Sequence, residues 1–386
     1  MFGMHLGRAR EKIVAVADIG SGSAALAIVA VSAEGPVRVL CAERRFLPLE
    51  ERTTEAITAA LGTHLVEVGK SVLAVYQKSG GSAPESVYAI VRAPWTRSKT
   101  VEARTSFPEV TQITDKIIGG LAQQALASDK EFDRAHILEA GVIRIEVNGY
   151  PTGEPEGASG HRLSVAALIS DCDPTFKTTL TSALQQLFGG QKVVIRSGVH
   201  AILSILRNKA DAWDKNFLVV DMASEGTNFV VIRDGITTDH ATIPEGKNSI
   251  LKRISGNGMT EETLTLLRLL ARGECHDPAC EAIQVAMAKA EPELVRTFGE
   301  VIAKLVVQQR LPNHLILATH QDLVPWLSSF FSRIDFAQFT TTTQPFVVTP
   351  LKPADLTHLA LPEPGIHADT GILIAAALVN IEEGRV

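Results

Sequence analysis

The chain has 386 residues, too many for one ordinary domain, and with 45% hydrophobic and 21% charged residues it excludes wholesale disorder. A formal net charge of −6 leaves no long-range attraction to a phosphate backbone, which argues against nucleic-acid binding. No apolar run reaches the roughly 20 residues needed to cross a bilayer, and Met1–Lys12 lacks the apolar core of a signal peptide, so a cytoplasmic protein is expected.

The start carries a short basic run, Arg8, Arg10 and Lys12, read as a solvated tail with weak contact to an anionic membrane as the alternative. Ile13–Val31, IVAVADIGSGSAALAIVAV, predicts two β-rich strands joined by a tight turn at Asp18-Ile-Gly-Ser-Gly, and Val37–Ala42 predicts a third. Apolar residues at helical spacing (Ile57, Leu61, Leu65, Val68, Val72) predict a helix over Thr53–Val75, ended by the linker-like Ser79–Pro84. Strands are expected at Ser86–Ala93, His136–Val147 and Arg162–Ile169, with a helix at Thr111–Leu126 and a turn-rich loop, Asn148–Gly160, as a wide hairpin connection. Together these make a small α+β insert. Helices at Pro174–Leu187 and Gly198–Leu206 flank a strand at Lys192–Ser197.

Phe217–Arg233, FLVVDMASEGTNFVVIR, repeats the opening form: a strand, an acidic residue with a polar turn, and a strand closed by Asp234-Gly235. Two copies of that ribbon imply two similar lobes facing a shared cleft. Helices are expected over Glu261–Arg272 and Pro278–Val307, the latter broken at Glu291-Pro292, then a strand at His314–Ala318 and helices at Leu323–Phe331 and Asp369–Ile381.

The order of elements resembles the actin-like ATPase superfamily, an α/β, ribonuclease H-like, two-lobed fold. Asp18–Ser23 is similar to its first phosphate motif, Asp221–Asn228 to its second, and Leu315–Pro325 to its adenosine motif. The α+β insert after Pro84, the Asn148–Gly157 loop and Ile243–Ile250 are similar to the FtsA and PilM families within it. The resemblance implies a first lobe over 12–84 and 171–213 joined by a final helix at 365–382, an inserted subdomain over 85–170 and a second lobe over 214–364.

It also implies ATP and Mg²⁺ in the cleft. Hairpin turns grip phosphate because consecutive backbone N–H groups converge on the anion and glycine permits close approach. Gly20, Ser21, Gly22 and Ser23 keep that form, although an ordinary Gly-Ser hairpin reads equally well from those residues alone. Asp18 and Asp221 would hold the metal, and Asp18, Asp221 and Asn228 would be catalytic.

The second turn is poorer. Ala223, Ser224 and Glu225 replace glycines, leaving Gly226 and Thr227 to offer open backbone, and Asn228 stands where an acid is usual. In the adenosine motif Ala318, Thr319 and His320 replace the glycines on which base and ribose lie; Thr319 and His320 remain the candidate contacts, His320 stacking on a base or filling the vacated volume. A degenerate cleft with weak or absent ATPase activity is therefore expected.

Three functions follow from the resemblance: an FtsA-like division scaffold binding FtsZ and self-assembling into dimers or filaments; a PilM-like pilus component binding a peptide of a bitopic inner-membrane protein; and a sugar or acetate kinase, disfavoured because no catalytic acid is placed. FtsA ordinarily ends in a membrane helix, whereas this sequence stops at Glu382–Val386, so only peripheral membrane attachment is expected. Cys41, Cys172, Cys275 and Cys280 are expected as reduced thiols, and Cys275–Cys280 as a polar turn between helices rather than a zinc loop, since no second ligand pair exists.

Overall fold

The computed structural model describes residues 11–49, 52–208, 216–276, 278–307 and 309–384. Arg8 and Arg10 of the basic start lie outside them.

An antiparallel meander opens the chain: β1 (Lys12–Ile19), β2 (Ser23–Val31) and β3 (Val37–Phe46), followed by α1 (Thr54–Lys78) and β4 (Ser86–Val91). Next come β5 (Thr96–Gln112), α2 (Asp115–Ser128), β6 (Ile137–Val147), β7 (Tyr150–Pro151) and β8 (Ser159–Cys172), then α3 (Pro174–Phe188), β9 (Lys192–Ser197) and α4 (Gly198–Asn208). A second meander, β10 (Phe217–Met222), β11 (Thr227–Arg233) and β12 (Ile236–Ile243), leads into α5 (Lys247–Ser255), α6 (Thr260–Arg272) and α7 (Pro278–Leu305). The chain continues through β13 (His314–Ala318), α8 (Val324–Phe331), β14 (Val347–Pro350), β15 (Ala360–Pro362) and α9 (Thr370–Glu383).

The described residues divide into two compact units, one from 1–92, 175–212 and 351–386, the other from 93–174 and 213–350. The first is built on a six-stranded sheet ordered β15-β3-β2-β1-β4-β9, with β1 antiparallel to β2 and parallel to β4. Its central strands, KIVAVADI and SAALAIVAV, are buried along almost their whole length because helices cover the sheet, which is why they read as continuous apolar runs. Thr53 caps α1 by accepting from the Ala56 N–H (3.3 Å), and the helix buries Ile57, Leu61, Leu65, Val68 and Val72. Ala, Ile, Leu and Val bury α9 on nearly all sides, and it packs on β1, β2, β3 and α4. Lys12, the one described residue of the basic start, donates to Glu383 Oε2 at the far end of α9 (2.6 Å), so its charge is taken up inside the unit.

Two sequence-derived boundaries move. β4 (Ser86–Val91) was expected inside the insert, yet it pairs with β1 and β9 as a central strand of the first sheet. Residues 351–364 were expected in the second lobe, yet β15 pairs in parallel with β3.

The second unit has a five-stranded sheet ordered β12-β11-β10-β13-β14, the same 3-2-1-4-5 pattern that β3, β2, β1, β4 and β9 follow. Its core is aromatic: Phe298 of α7 lies 5.8 Å from Phe229 of β11, and 5.7 and 5.4 Å from Phe330 and Phe331 of α8. The expected break at Glu291-Pro292 does not occur. α7 runs through Pro292, which removes one backbone donor and sets its ring against the carbonyl four residues before.

Residues 93–174, inserted in sequence between β4 and α3, form a four-stranded sheet ordered β5-β8-β6-β7, and their contacts group them with the second unit. Helix α2 covers one face around Ile113, Ile118, Leu121, Leu163 and Val165. β5 has no counterpart in the sequence reading, where Thr111 and Gln112 start a helix; the helix starts at Asp115, capped by Thr114. The Asn148–Gly160 loop is tighter than expected. Asn148 (φ 54°) and Gly149 (φ 86°) form a two-residue turn that brings Tyr150 opposite Val147.

Cys275 and Cys280 are joined in a disulfide, correcting the expectation of reduced thiols for that pair; the turn between α6 and α7 brings their Cα atoms to 5.6 Å, within bridging range. Cys41 and Cys172 are buried and lie outside that disulfide. Among the described residues no helix is long and apolar enough to cross a membrane.

Candidate functional site

In the first unit Asp18 sits one residue from the end of β1, opposite Ala25 and beside Ile90. The turn after it is tightly braced. The Gly20 N–H donates to Ser23 O (3.1 Å), the Leu47 N–H to Gly22 O (2.8 Å) and the Arg92 N–H to Ile19 O (3.0 Å), and Ser21 is fully buried.

The carboxylate of Asp18 is engaged. Its Oδ2 accepts from Arg44 Nη2 (2.6 Å), and its Oδ1 lies 3.7 Å from Arg92 Nε. Arg44 also donates through Nη1 to Ser23 Oγ (2.9 Å), and through Nε and Nη2 to Asp369 (2.5 and 2.8 Å). Burial works against the Arg44 charge, but the carboxylates of Asp18 and Asp369 outweigh it and raise its pKa. Burial likewise pushes the Asp369 carboxyl up, and Arg44 more than reverses that, holding it below the usual carboxylate range. Asp369 in turn caps α9 by accepting from the Ile372 N–H (3.1 Å).

In the second unit Asp221 is fully buried on β10, paired with Asn228 across β11 and with Ala318 on the parallel strand β13. This brings Asp221, Gly226, Thr227 and Asn228 into the neighbourhood of Thr319 and His320, at the carboxyl ends of two parallel strands, where open α/β sheets take ligands. Asp18 and Gly20–Ser23 belong to the other unit.

The turn's polar groups are spent inside the protein. Asn228 Nδ2 donates to Thr96 O of β5 (3.3 Å), and its Oδ1 accepts from Thr242 Oγ1 of β12 (2.7 Å). Thr227 Oγ1 donates to Glu245 O (2.6 Å). Gly226, expected to offer open backbone, is instead a packing glycine: a Cβ there would stand 2.9 Å from Pro94 Cβ and 3.1 Å from Ile243 O. The carbonyls of Ala223 and Ser224 accept from the Lys247 and Asn248 N–H groups (2.9 and 2.8 Å), sewing the turn to the start of α5. Glu225 is held by the Asn248 side-chain amide, and burial pushes its carboxyl above the usual range although that amide pulls the other way.

His320 is the cap of a short 3₁₀ turn, Gln321–Leu323, its Nδ1 lying 3.5 Å from the Asp322 N–H and 3.0 Å from Asp322 Oδ2. Arg268 Nε donates to the same carboxylate (3.2 Å). Burial pushes the Asp322 carboxyl up, but His320, Arg268 and Lys247 together hold it below the usual range. Thr319 follows β13 and is half-buried.

These residues do not fit Mg²⁺·ATP. Asp18, Ser23, Thr227 and Asn228, which would meet the metal or a phosphate, are each already bonded within the fold. Arg44, Asp369, Lys247 and Asp322 were missed by sequence reasoning. Arg44 and Asp369 lie 325 positions apart and are brought together by the register of β3 with β2 and the seating of α9, whereas Lys247 and Asp322 come from α5 and the turn after β13.

No protein-family model and no curated protein sequence matches the chain. Among solved structures it is similar to one of a "PilM-PilN type IV pilus biogenesis complex", at 15% identity over 97% of this chain and 99% of that one, with a TM-score of 0.58. It is also similar to the ethanolamine utilization protein EutJ from Carboxydothermus hydrogenoformans (13% identity, 95% and 90% covered, TM-score 0.46). A third is a Bacteroides thetaiotaomicron protein with an actin-like ATPase fold and unknown function (9% identity, 86% and 91% covered, TM-score 0.36). The first likeness establishes the fold. The chain has an actin-like ATPase fold, with an α+β segment inserted in sequence within the first lobe.

Proposed function

We propose that this chain, an actin-like fold along nearly its whole length, is a PilM-like assembly scaffold that captures a short cytoplasmic segment of an inner-membrane partner in type IV pilus assembly or a related machine. The observation that carries this reading is the full-length similarity to the pilus protein, 97% of one chain on 99% of the other. The FtsZ-binding division reading rests on sequence resemblance alone.

The inserted sheet suits peptide capture. β5 stands at one edge of that sheet; its start is taken up by β11 and β12, through Asn228 Nδ2 to Thr96 O and the Thr237 N–H to Thr100 Oγ1, and where an edge is not so covered it can accept an extended segment by main-chain pairing. We further propose that ATP is bound weakly or not at all and is not turned over, because Asn228, Thr227 and Gly226 serve the packing of the turn.

The test is affinity capture of partners from cell extract on the immobilised full chain. Recovery of a bitopic inner-membrane pilus protein supports the proposal; recovery of FtsZ without one overturns it. Micromolar ATP affinity with measurable turnover in the purified chain would overturn the nucleotide part independently.

A further inference from the structure

We infer that Asp18 is an ion-pair partner and not a metal ligand in this protein: the Arg44 guanidinium holds the charge position that a hydrated divalent cation would take, and it locks the first hairpin to the final helix without nucleotide. The inference concerns the first unit alone and does not rest on the proposed function.

Three observations carry it. The first is saturation. Arg44 bonds Asp18, Ser23 and Asp369 at once, so one side chain from β3 joins β1, the hairpin turn and the cap of α9.

The second is charge. Two carboxylates, Asp18 and Asp369, face two guanidinia, Arg44 and Arg92, leaving no net negative charge to draw in a dication. A guanidinium cannot shed its proton to make way for one, and a cation added beside it would bury a third positive centre with Arg44 and Arg92.

The third is room. Asp18 is 2% exposed. Gly371, in the first turn of α9, lies so close that a Cβ there would collide with Asp18 Oδ2 and stand 2.8 Å from Arg44 Nη2. Mg²⁺ gives up its waters reluctantly and usually keeps several, and the gap between α9 and the carboxylate does not admit even a methyl group.

The test uses Mn²⁺ as a probe, with the free ion measured by electron paramagnetic resonance in titrations of the full chain. Wild type and Asp18→Asn should bind Mn²⁺ alike, within about twofold, with or without ADP. Arg44→Met should gain a Mn²⁺ site that Arg44→Met/Asp18→Asn loses. Thermal unfolding is the second readout. A ligand at about a hundred times its Kd raises Tm measurably, so millimolar Mg²⁺ with ADP should leave the wild-type Tm unmoved, whereas Asp18→Asn should lower it. The inference is overturned if wild type binds Mn²⁺ about tenfold more tightly than Asp18→Asn, if Mg²⁺ with ADP raises the wild-type Tm but not that of Asp18→Asn, or if Asp18→Asn leaves Tm unchanged. Should Arg44→Met fail to fold, the comparison of wild type with Asp18→Asn decides, and should Asp18→Asn also fail, a Mn²⁺ site in nucleotide-free wild type that Asp18→Glu shifts overturns the inference while its absence supports it.

Discussion

Restoring the acid usual in actin-like second turns, through Asn228→Asp, should damage this protein rather than revive a catalyst. In the native arrangement Nδ2 donates to Thr96 O and Oδ1 accepts from Thr242 Oγ1, so both ends of the amide are used. An aspartate keeps the acceptor and loses the donor, leaving the Thr96 carbonyl facing an oxygen, at a cost of about 1–3 kcal/mol. The new carboxyl also stands directly across the strand pair from Asp221, in a site where both residues are buried. Cα atoms so paired are about 5 Å apart, and two unit charges at that spacing repel by about 3 kcal/mol at an effective dielectric of about 20. Burial and repulsion both favour the protonated acid, so its folded pKa lies above the unfolded value. The folded state then holds a proton that the unfolded state has released, and the destabilisation grows as pH rises above about 4. Urea unfolding at pH 4.5 and pH 8, beside an ATP-turnover assay, should show a variant less stable than wild type at both pH values, by a wider margin at pH 8, and without hydrolysis. Stability equal to wild type at pH 8, or newly acquired ATPase activity, would refute the reasoning.

Gly226→Ala should destabilise the second unit by about 1–3 kcal/mol, because its Cβ meets Pro94 and the Ile243 carbonyl; an unshifted thermal transition would show that the turn has slack. Phe298→Ala removes the hub of the aromatic cluster and should cost about 3–5 kcal/mol, measured by denaturant unfolding, with a loss below about 1 kcal/mol contradicting the packing described. Glu382 has its carboxyl pKa lowered to about 2, since its bonds to His200 and Arg196 outweigh the burial that would raise it. A depressed carboxylate stabilises above its unfolded pKa of about 4.3 and loses that contribution as pH falls toward the folded value. The stability advantage of wild type over Glu382→Gln should therefore shrink between about pH 4 and pH 2, and an advantage independent of pH in acid urea titrations would contradict it.

What the sequence made legible were the parts whose signal is local. The continuous apolar runs around Asp18 and Asp221 announce buried central strands, and the five apolar residues of α1 recur at helical spacing, so the first meander, the β10–β11 pair and that helix fall close to where the residues place them, while β12 was not expected. β5 was invisible for the opposite reason: TRSKTVEARTSF alternates polar side chains with small ones, and its pairing with β8 comes from a partner some 60 residues on. β4 was placed in the wrong sheet because its sequence gives a strand but not its neighbours; only the parallel register with β1 and β9 does. At the candidate site the sequence gives the residue types and not their contacts within the fold. Gly226 signals openness in a sequence, yet here it is the contact point of Pro94, and Ser23 looks like a phosphate donor while serving as the acceptor for Arg44.

The two hairpins share a form and a common physical problem, an acidic residue buried at the end of a central strand. Here the first unit answers it with a guanidinium from β3 and the cap of α9, while in the second Asp221 lies opposite Asn228, whose amide is used by Thr96 and Thr242, beside a turn whose carbonyls are tied to α5. The first answer is internal to the chain. On the proposed scaffold role, the hairpins hold the fold and the inserted sheet holds the partner. It follows that differences in binding should trace to the inserted sheet, and that disabling the hairpins should reduce stability in proportion to the bonds lost, without selectively abolishing partner capture.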